Sequence, residues 1–338
     1  MTNLRLIDPI NGPLVVQITN ESKIQALKMT VLSFWPNRKS NFSPVPLPTS
    51  LERKNFYKLK QFPYLICVKS DGIRFLLFRQ NNIVYLVDRS FTFYIISLNF
   101  INNETNNQDV ELMLDGELIK TKDNRWSYIA HDCVVADFKD ISQLHFDVRY
   151  EAIKDILINR WCGCGIDSGS DSLYLTTKKF YKFSEIDNLI NDMSSGKINH
   201  KTDGLIFTPL TLGIGTQTQY TLFKWKDRAH HTFDFKIIET PTEYVAYVNQ
   251  GTDDKKYASV DKKTKEGLEF TRLLKLKCPT FKNGSIVELD YNIETNCFEP
   301  KMIRTDKNHP NSLFTIEKTL KNVEENITLE NIVHMIKS

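Results

Sequence analysis

Tyr64-Leu65-Ile66-Cys67-Val68-Lys69-Ser70-Asp71-Gly72-Ile73-Arg74-Phe75-Leu76-Leu77-Phe78 is the stretch whose reading decides this chain. Its two apolar ends suit short buried strands. Its middle is a polar turn in which Gly72 permits a tight change of direction. Lys69 therefore sits at a strand end, two residues from Asp71 and five from Arg74. Charges converging at such a point suit a bound phosphate, and the lysine is a candidate covalent nucleophile. Taken alone, the run from Lys69 to Arg74 fits a surface hairpin equally well.

Composition narrows the classes around it. A length of 338 residues suggests two domains, and 41% hydrophobic residues suffice for a core. Forty-four basic residues face 41 acidic ones, for a net charge of +3. That excludes a basic coat for wholesale duplex binding and leaves room for a local basic groove. None of the six cysteines forms the C-x-x-C pair of a zinc or redox motif. They read as reduced thiols of an intracellular, reducing compartment, with nucleus and cytoplasm both open. Met1 to Val16 lacks a signal-peptide pattern, and no apolar run approaches the ~20 residues of a membrane span. A soluble protein with no membrane partner is expected.

Outward from the opening stretch, residues 1–48 hold two apolar patches and end in Pro44, Pro46 and Pro48. Thr49-Ser50-Leu51-Glu52 has capping-box spacing, predicting a short helix up to Gln61. Tyr64 to Ala136 is rich in apolar or alternating runs split by polar turns, the pattern of strands. Gln143–Trp161 and Phe183–Met193 carry helical spacing. Leu205–Leu212 and Tyr220–Trp225 predict a hairpin. Beyond Asp227, five apolar runs (Phe233–Glu239, Tyr244–Val248, Leu268–Leu276, Ser285–Tyr291 and Cys297–Arg304) predict strands of a small barrel of OB-fold type. Lys255–Lys265 reads as a charged loop among them. The end, Leu313–Lys337, reads as helix, with Thr328 as a cap.

Four further stations put charge in strand context. Leu112–Leu118 ends an apolar strand with Asp115-Gly116-Glu117. Lys201-Thr202-Asp203-Gly204-Leu205-Ile206 does so with one carboxylate. In Leu222-Phe223-Lys224-Trp225-Lys226, strict alternation puts Lys224 and Lys226 on one face. Arg304-Thr305-Asp306-Lys307 follows the last barrel strand. Singly, each fits a turn or a solvated strand face. Jointly and in this order they are specific.

That order resembles the covalent nucleotidyltransferase superfamily of mRNA capping guanylyltransferases and polynucleotide ligases. Leu-Phe-Lys-x-Lys, His200 before Thr-Asp-Gly-Leu-Ile, and Arg-x-Asp-Lys-Asn308 favour the capping branch. Ser50–Phe78, His230–Phe235 and Glu317–Ile327 resemble its small stand-alone viral members. The resemblance implies an α+β fold: a nucleotidyltransferase domain of antiparallel sheets flanked by helices (1–228, completed by helices in 312–338), an OB-fold barrel (229–311), and a nucleotide cleft between them. It implies transfer of GMP from GTP through a lysyl-GMP intermediate to a 5′-diphosphate RNA end, with barrel closure gating the first step. An ATP-dependent polynucleotide ligase using the same lysine chemistry is the alternative. A free lysine, with pKa near 10.4, is a poor nucleophile at neutral pH, so neighbouring cations would disfavour its ammonium form.

By the same resemblance Lys69 is the nucleophile, with Arg74, Lys224 and Lys226 near the α-phosphate. Arg304, Asp306 and Lys307 are assigned to the β- and γ-phosphates. Asp71, Gly72, Arg89, Glu117, His131, Lys178 and Asp203 are assigned to the nucleotide, and Asp203 and Glu117 to a Mg2+ or Mn2+ ion. His131 stands where relatives often carry an aromatic that stacks on the base, unless it pairs with Asp132 or solvent. Lys179 competes with Lys178 for the guanine edge. The chain shows no His-Cys-x5-Arg phosphatase loop and no Gly-rich methyltransferase motif, so a separate RNA triphosphatase and cap methyltransferase are expected as partners of a monomer.

Overall fold

The computed structural model describes residues 15–35, 44–98, 100–101, 109–162, 173–215, 218–305 and 307–338. The chain divides into two compact units, Met1–Trp225 with Val333–Ser338, and Lys226–Ile332. In chain order the first unit holds β1 (Val15–Gln17), α1 (Glu21–Leu32), β2 (Leu47–Ser50), α2 (Phe56–Gln61), β3 (Tyr64–Ser70), β4 (Ile73–Gln80), β5 (Ile83–Val87), β6 (Phe93–Ile96), β7 (Val110–Lys120), β8 (Trp126–Ala136), β9 (Lys139–Asp140), α3 (Phe146–Asn159), β10 (Tyr174–Thr177), β11 (Tyr181–Lys182), α4 (Ile186–Ser194), β12 (Thr202–Pro209) and β13 (Thr218–Trp225).

Its strands form two sheets. The larger runs β1-β6-β5-β4-β7-β8-β10, with β9 beside β8, and the smaller runs β11-β3-β12-β13-β2. Side chains alternate along β4. Phe75 and Leu77 pack on one face of the larger sheet with Ile153 and Ile156 of α3. Leu76 and Phe78 pack on the other with Leu27, Val31 and Leu32 of α1. Covering on both faces explains why β4 and β7 read as continuous apolar runs rather than alternating ones. Helix α1 arose from a segment whose sequence showed only apolar patches. Its signal was the cap, where Asn20 Oδ1 accepts from the Lys23 N–H at 2.9 Å.

The expected capping box at Thr49–Glu52 is displaced. Leu47–Ser50 is a strand paired with β13. The turn comes at Glu52, whose N–H donates to Asn55 Oδ1 at 3.0 Å, and α2 starts at Phe56. The described cysteines Cys67, Cys133, Cys162, Cys278 and Cys297 are free thiols. Among the described residues no helix is long and apolar enough to cross a membrane.

The second unit holds β14 (Thr232–Glu239), β15 (Glu243–Gln250), β16 (Asp253–Asp261), α5 (Lys265–Lys277), β17 (Ile286–Asn292), β18 (Cys297–Ile303) and α6 (Leu313–Glu325), followed by α7 (Leu329–Lys337), whose end returns to the first unit. Its sheet order, β16-β15-β14-β17-β18 with a helix after the third strand, is that of an OB-fold. Two expectations exchange places. Leu268–Leu276 is helix α5, capped where Thr264 Oγ1 accepts from the Gly267 N–H at 3.0 Å, with Phe270, Leu273 and Leu274 buried at helical spacing. Lys255–Asp261 is strand rather than loop, an edge strand whose charges face solvent. The expected grouping of 312–338 with the first domain is also revised. Ile316 and Val323 of α6 pack into the second unit's core with Phe233, Phe235 and Val287. The final residues do join the first unit, where Lys337 Nζ donates to Asp187 at 2.8 Å.

Candidate active site

Strand β3 is buried through Ile66, Cys67 and Val68, and Lys69 is its penultimate residue. Alternation sends Cys67 and Lys69 to the same face, where both line a cavity of about 140 Å³. The neighbouring strand brings the partner. Lys69 pairs with Gly204 and Ser70 with Thr202, so Asp203 is an extra residue between them. Such a bulge re-aims its side chain. The Asp203 carboxylate accepts from Lys69 Nζ at 2.7 Å. Gly204 tolerates the resulting backbone, with φ at +151°.

The cavity's second wall is β7 with β4. Asp115 and Glu117 are two residues apart on one face of β7, and both line the cavity with Arg74 of β4. Arg74 Nε donates to Asp115 Oδ1 at 2.8 Å, a second guanidinium nitrogen meets Asp115 Oδ2, and Nη1 donates to the Pro46 carbonyl at 2.6 Å. Burial pushes the Asp115 carboxyl up. The Arg74 guanidinium and His131 outweigh it and hold the group well below the usual carboxylate range. Gly116 sits between these carboxylates because a Cβ there would lie 2.5 Å from the Tyr128 ring and 2.7 Å from the Ile129 carbonyl. Tyr128 is itself fixed, its hydroxyl 3.0 Å from the carbonyls of Phe75 and Leu114.

A second bulge forms the third wall. Asp115 pairs with Asp132 and Gly116 with Ala130, leaving His131 unpaired on β8. Its side chain turns into the cavity, with Nε2 3.4 Å from Asp115 Oδ1. Asp132 instead takes Arg149 of α3 in a two-pronged pair at 2.7 and 3.0 Å, so the alternative His131–Asp132 pairing does not form. After β10 the chain is held by Lys178 N–H donating to the Ala130 carbonyl and Tyr150 hydroxyl donating to the Lys178 carbonyl, both at 2.8 Å. Lys178 is thereby buried in the cavity wall, with Nζ 3.9 Å from Glu117 Oε2. Lys179 points outward and pairs with Asp192. Arg89, Phe146, Phe180, Ile206 and Leu222 complete the lining.

Several expected residues lie elsewhere. Asp71 and Gly72 do not line the cavity, and Asp71 is exposed. Gly72 is required by close packing rather than by the turn, since a Cβ would lie 2.5 Å from the Leu118 carbonyl. Arg74 lines the cavity with its charge already matched by Asp115. Lys224 continues the cavity-lining face of Leu222 while Phe223 and Trp225 are buried behind it, and Lys226 begins the second unit. In the second unit, Arg304 Nη1 lies 3.1 Å from both Asp234 Oδ1 and Glu288 Oε2, and Lys307 also meets Asp234. Asp306 lies outside the described residues.

Sequence reasoning missed Asp115 as the anchor of Arg74, and it missed Cys67, Phe146, Phe180 and the Arg149–Asp132 pair. Asp115 had a visible signal, because it shares a strand face with Glu117. Cys67 had the same signal, sharing a face of β3 with Lys69, whereas Phe146, Phe180 and the Arg149–Asp132 pair come from distant segments and left none.

The strand-end lysine, held on a carboxylate, thus faces a pocket that mixes aromatic walls with matched charge. The mRNA capping enzyme catalytic domain matches residues 10–228, and the mRNA capping enzyme C-terminal domain matches residues 214–333. The chain belongs to the mRNA capping enzyme family. It is 25% identical over 340 residues to an mRNA-capping enzyme of Danio rerio, covering 96% of this chain and 54% of that protein. It is also 25% identical over 345 residues to mRNA-capping enzyme subunit alpha of Schizosaccharomyces pombe, covering 92% and 83%. The chain thus spans about half the length of the zebrafish relative. A solved mycobacterial DNA ligase D complexed with ATP and MES aligns at a TM-score of 0.43 with 12% identity, covering 78% of this chain and 95% of that one.

Proposed function

We propose that this chain is the guanylyltransferase of mRNA capping, moving GMP from GTP to a 5′-diphosphate RNA end through Lys69. The observation that carries the proposal is the Lys69–Asp203 pair at the edge of a cavity that also gathers Arg89, Glu117, His131 and Lys178. In the first step Lys69 Nζ bonds to the α-phosphorus, the bond from that phosphorus to the bridging oxygen breaks, and pyrophosphate leaves. The ammonium must first lose a proton, and Asp203 is an acceptor within 2.7 Å. In the second step a terminal phosphate oxygen of the RNA attacks the same phosphorus, the P–N bond breaks, and Nζ regains its proton.

The residue roles follow the family resemblance. Glu117 and Arg89 hold the ribose, buried Lys178 meets the guanine edge, and His131 stacks on the base. Lys224 and Lys226 neutralise the α-phosphate. Arg304, Asp306 and Lys307 are assigned to the leaving phosphates. The donor chemistry also fits a divalent ion. Asp203 and Glu117 are hard oxygen donors, and Mg2+ or Mn2+ is commonly held by one or two carboxylates with phosphate oxygens and water. Among the described residues no group of three His, Cys, Asp or Glu side chains forms a protein-only cage. When bound, the ion supplies positive charge at the α-phosphate. The preceding triphosphatase step and the following methylation are assigned to separate proteins, and the active chain to a monomer.

The test is labelling with α-labelled GTP or ATP in the presence of magnesium, followed by denaturation. A GMP adduct is expected, and Lys69→Ala abolishes it. An AMP adduct, or label that survives Lys69→Ala, overturns the proposal.

A further inference from the structure

We infer that His200 is a positioning residue for Lys69, acting through the hydroxyl of Ser70; the inference rests on the guanylyltransferase reading above. Ser70 follows the nucleophile and is fully buried on the opposite side of β3. Its Oγ shares a hydrogen bond of 2.7 Å with His200 Nε2. His200 lies in a short segment stapled from two directions. On one side it bridges Thr121, and the Lys122 N–H donates to the Asn199 carbonyl at 2.8 Å. On the other side the Asp71 N–H donates to the Lys201 carbonyl at 2.9 Å, and Thr202 pairs with Ser70. The next residue is Asp203, the bulged partner of Lys69.

Period-two alternation makes this register decisive. A slip of one residue would turn the Asp203 carboxylate to the other face and leave Lys69 without it. Behind β3 lies a second cavity, about 330 Å³, lined by Val68, Ile119, Thr121, Ile129 and His200 among others. His200 and Val68 border that cavity, and the His200–Ser70 bond adds a buried side-chain tie beside it to the backbone pairing of this segment. Burial, then Lys178 and Lys122, push the His200 imidazole down to about 4. A neutral ring makes this bond at neutral pH without adding charge beside the nucleophile.

The experiment is single-turnover formation of the lysyl-GMP adduct by the full chain, comparing wild type, His200→Ala, His200→Gln, Ser70→Ala and the double His200→Ala/Ser70→Ala. His200→Ala and Ser70→Ala should each slow adduct formation about tenfold or more, because small misplacements of a reacting group are costly. The GTP concentration for half-maximal rate should stay within about twofold, the double variant should be no slower than the slower single, and Gln, whose amide reaches the hydroxyl, should restore most of the rate. Full rate in Ser70→Ala or His200→Ala, a loss confined to GTP affinity, additive losses, or Gln as poor as Ala would overturn the inference. If His200→Ala does not fold, Ser70→Ala and His200→Gln decide it. A parallel arm maps acylation of Lys69 by an amine-directed reagent without nucleotide. His200→Ala or Ser70→Ala should change Lys69 modification several-fold relative to other lysines, and no change overturns the inference. Wild type and Lys69→Ala report on the guanylyltransferase reading separately: an unlabelled wild type sinks that reading, while the acylation arm still reads the position of the amine.

Discussion

Asp115 shows how one buried charge sets the terms for its neighbours. It carries Arg74 in a two-pronged pair and is 2% exposed. Asp115→Asn keeps the shape and strands the guanidinium, an error that costs about 3–5 kcal/mol. Urea denaturation at neutral pH should show that loss. The pH dependence has a definite sign. A carboxyl depressed in the fold contributes stability that is present above its unfolded value and lost as pH falls below about 4, so Asp115→Asn should flatten the acid limb. His200 acts in the next window upward. Its unfolded value of 6.5 falls to about 4 in the fold, so the unfolded chain takes up a proton that the folded chain refuses. Stability should decline as pH drops from 6.5 towards 4, and His200→Gln should remove that slope while leaving the curve above 7 unchanged. A His200→Gln curve parallel to wild type throughout would contradict the burial of this ring.

Two of the expected site residues, Asp203 and His131, are extra residues in their strands. Alternation along an ideal strand tells on which face of its strand each of Lys69, Glu117 and Lys224 lies, and that much was legible from spacing, while their roles came from the order of the motifs. A bulge breaks the alternation, and its position depends on pairing with a strand far away in the sequence. The same limit hid Arg149 from Asp132 and gave Gly72 the wrong reason, because the Leu118 carbonyl that crowds it belongs to another strand. Charge patterning misled at β16 and α5, where lysines on an edge strand resembled a loop and leucines of a helix resembled a strand. Order along the chain, by contrast, survived folding intact, and it is order that made the site readable. A prediction follows for β7. Gly116→Ala must push Tyr128 or the Ile129 carbonyl aside, and forcing an extra methyl into such packing typically costs 1–3 kcal/mol. Thermal unfolding should fall accordingly, with adduct formation lost out of proportion because Asp115 and Glu117 flank the shift.

At the scale of the whole molecule, each of the two units has a core of its own. Asp234, 4% exposed, gathers Arg304, Lys307 and Asn311 within the second unit alone. Asp234→Ala should therefore lower protection from hydrogen exchange in β14, β17 and β18 while leaving β3, β4 and β7 as in wild type. Equal loss in both sets would show that the units do not unfold independently. The path of the chain adds a consequence for biosynthesis. Val333–Ser338 belongs with the first unit, where Lys337 meets Asp187 and Lys60 Nζ meets Ser338 Oγ at 2.9 Å. A ribosome must synthesise everything from Lys226 to Ile332 before it supplies that segment. The nucleophile-bearing unit thus waits, nearly whole, through the translation of its neighbour, and a nascent chain stalled at Ile332 would lack the segment that finishes it.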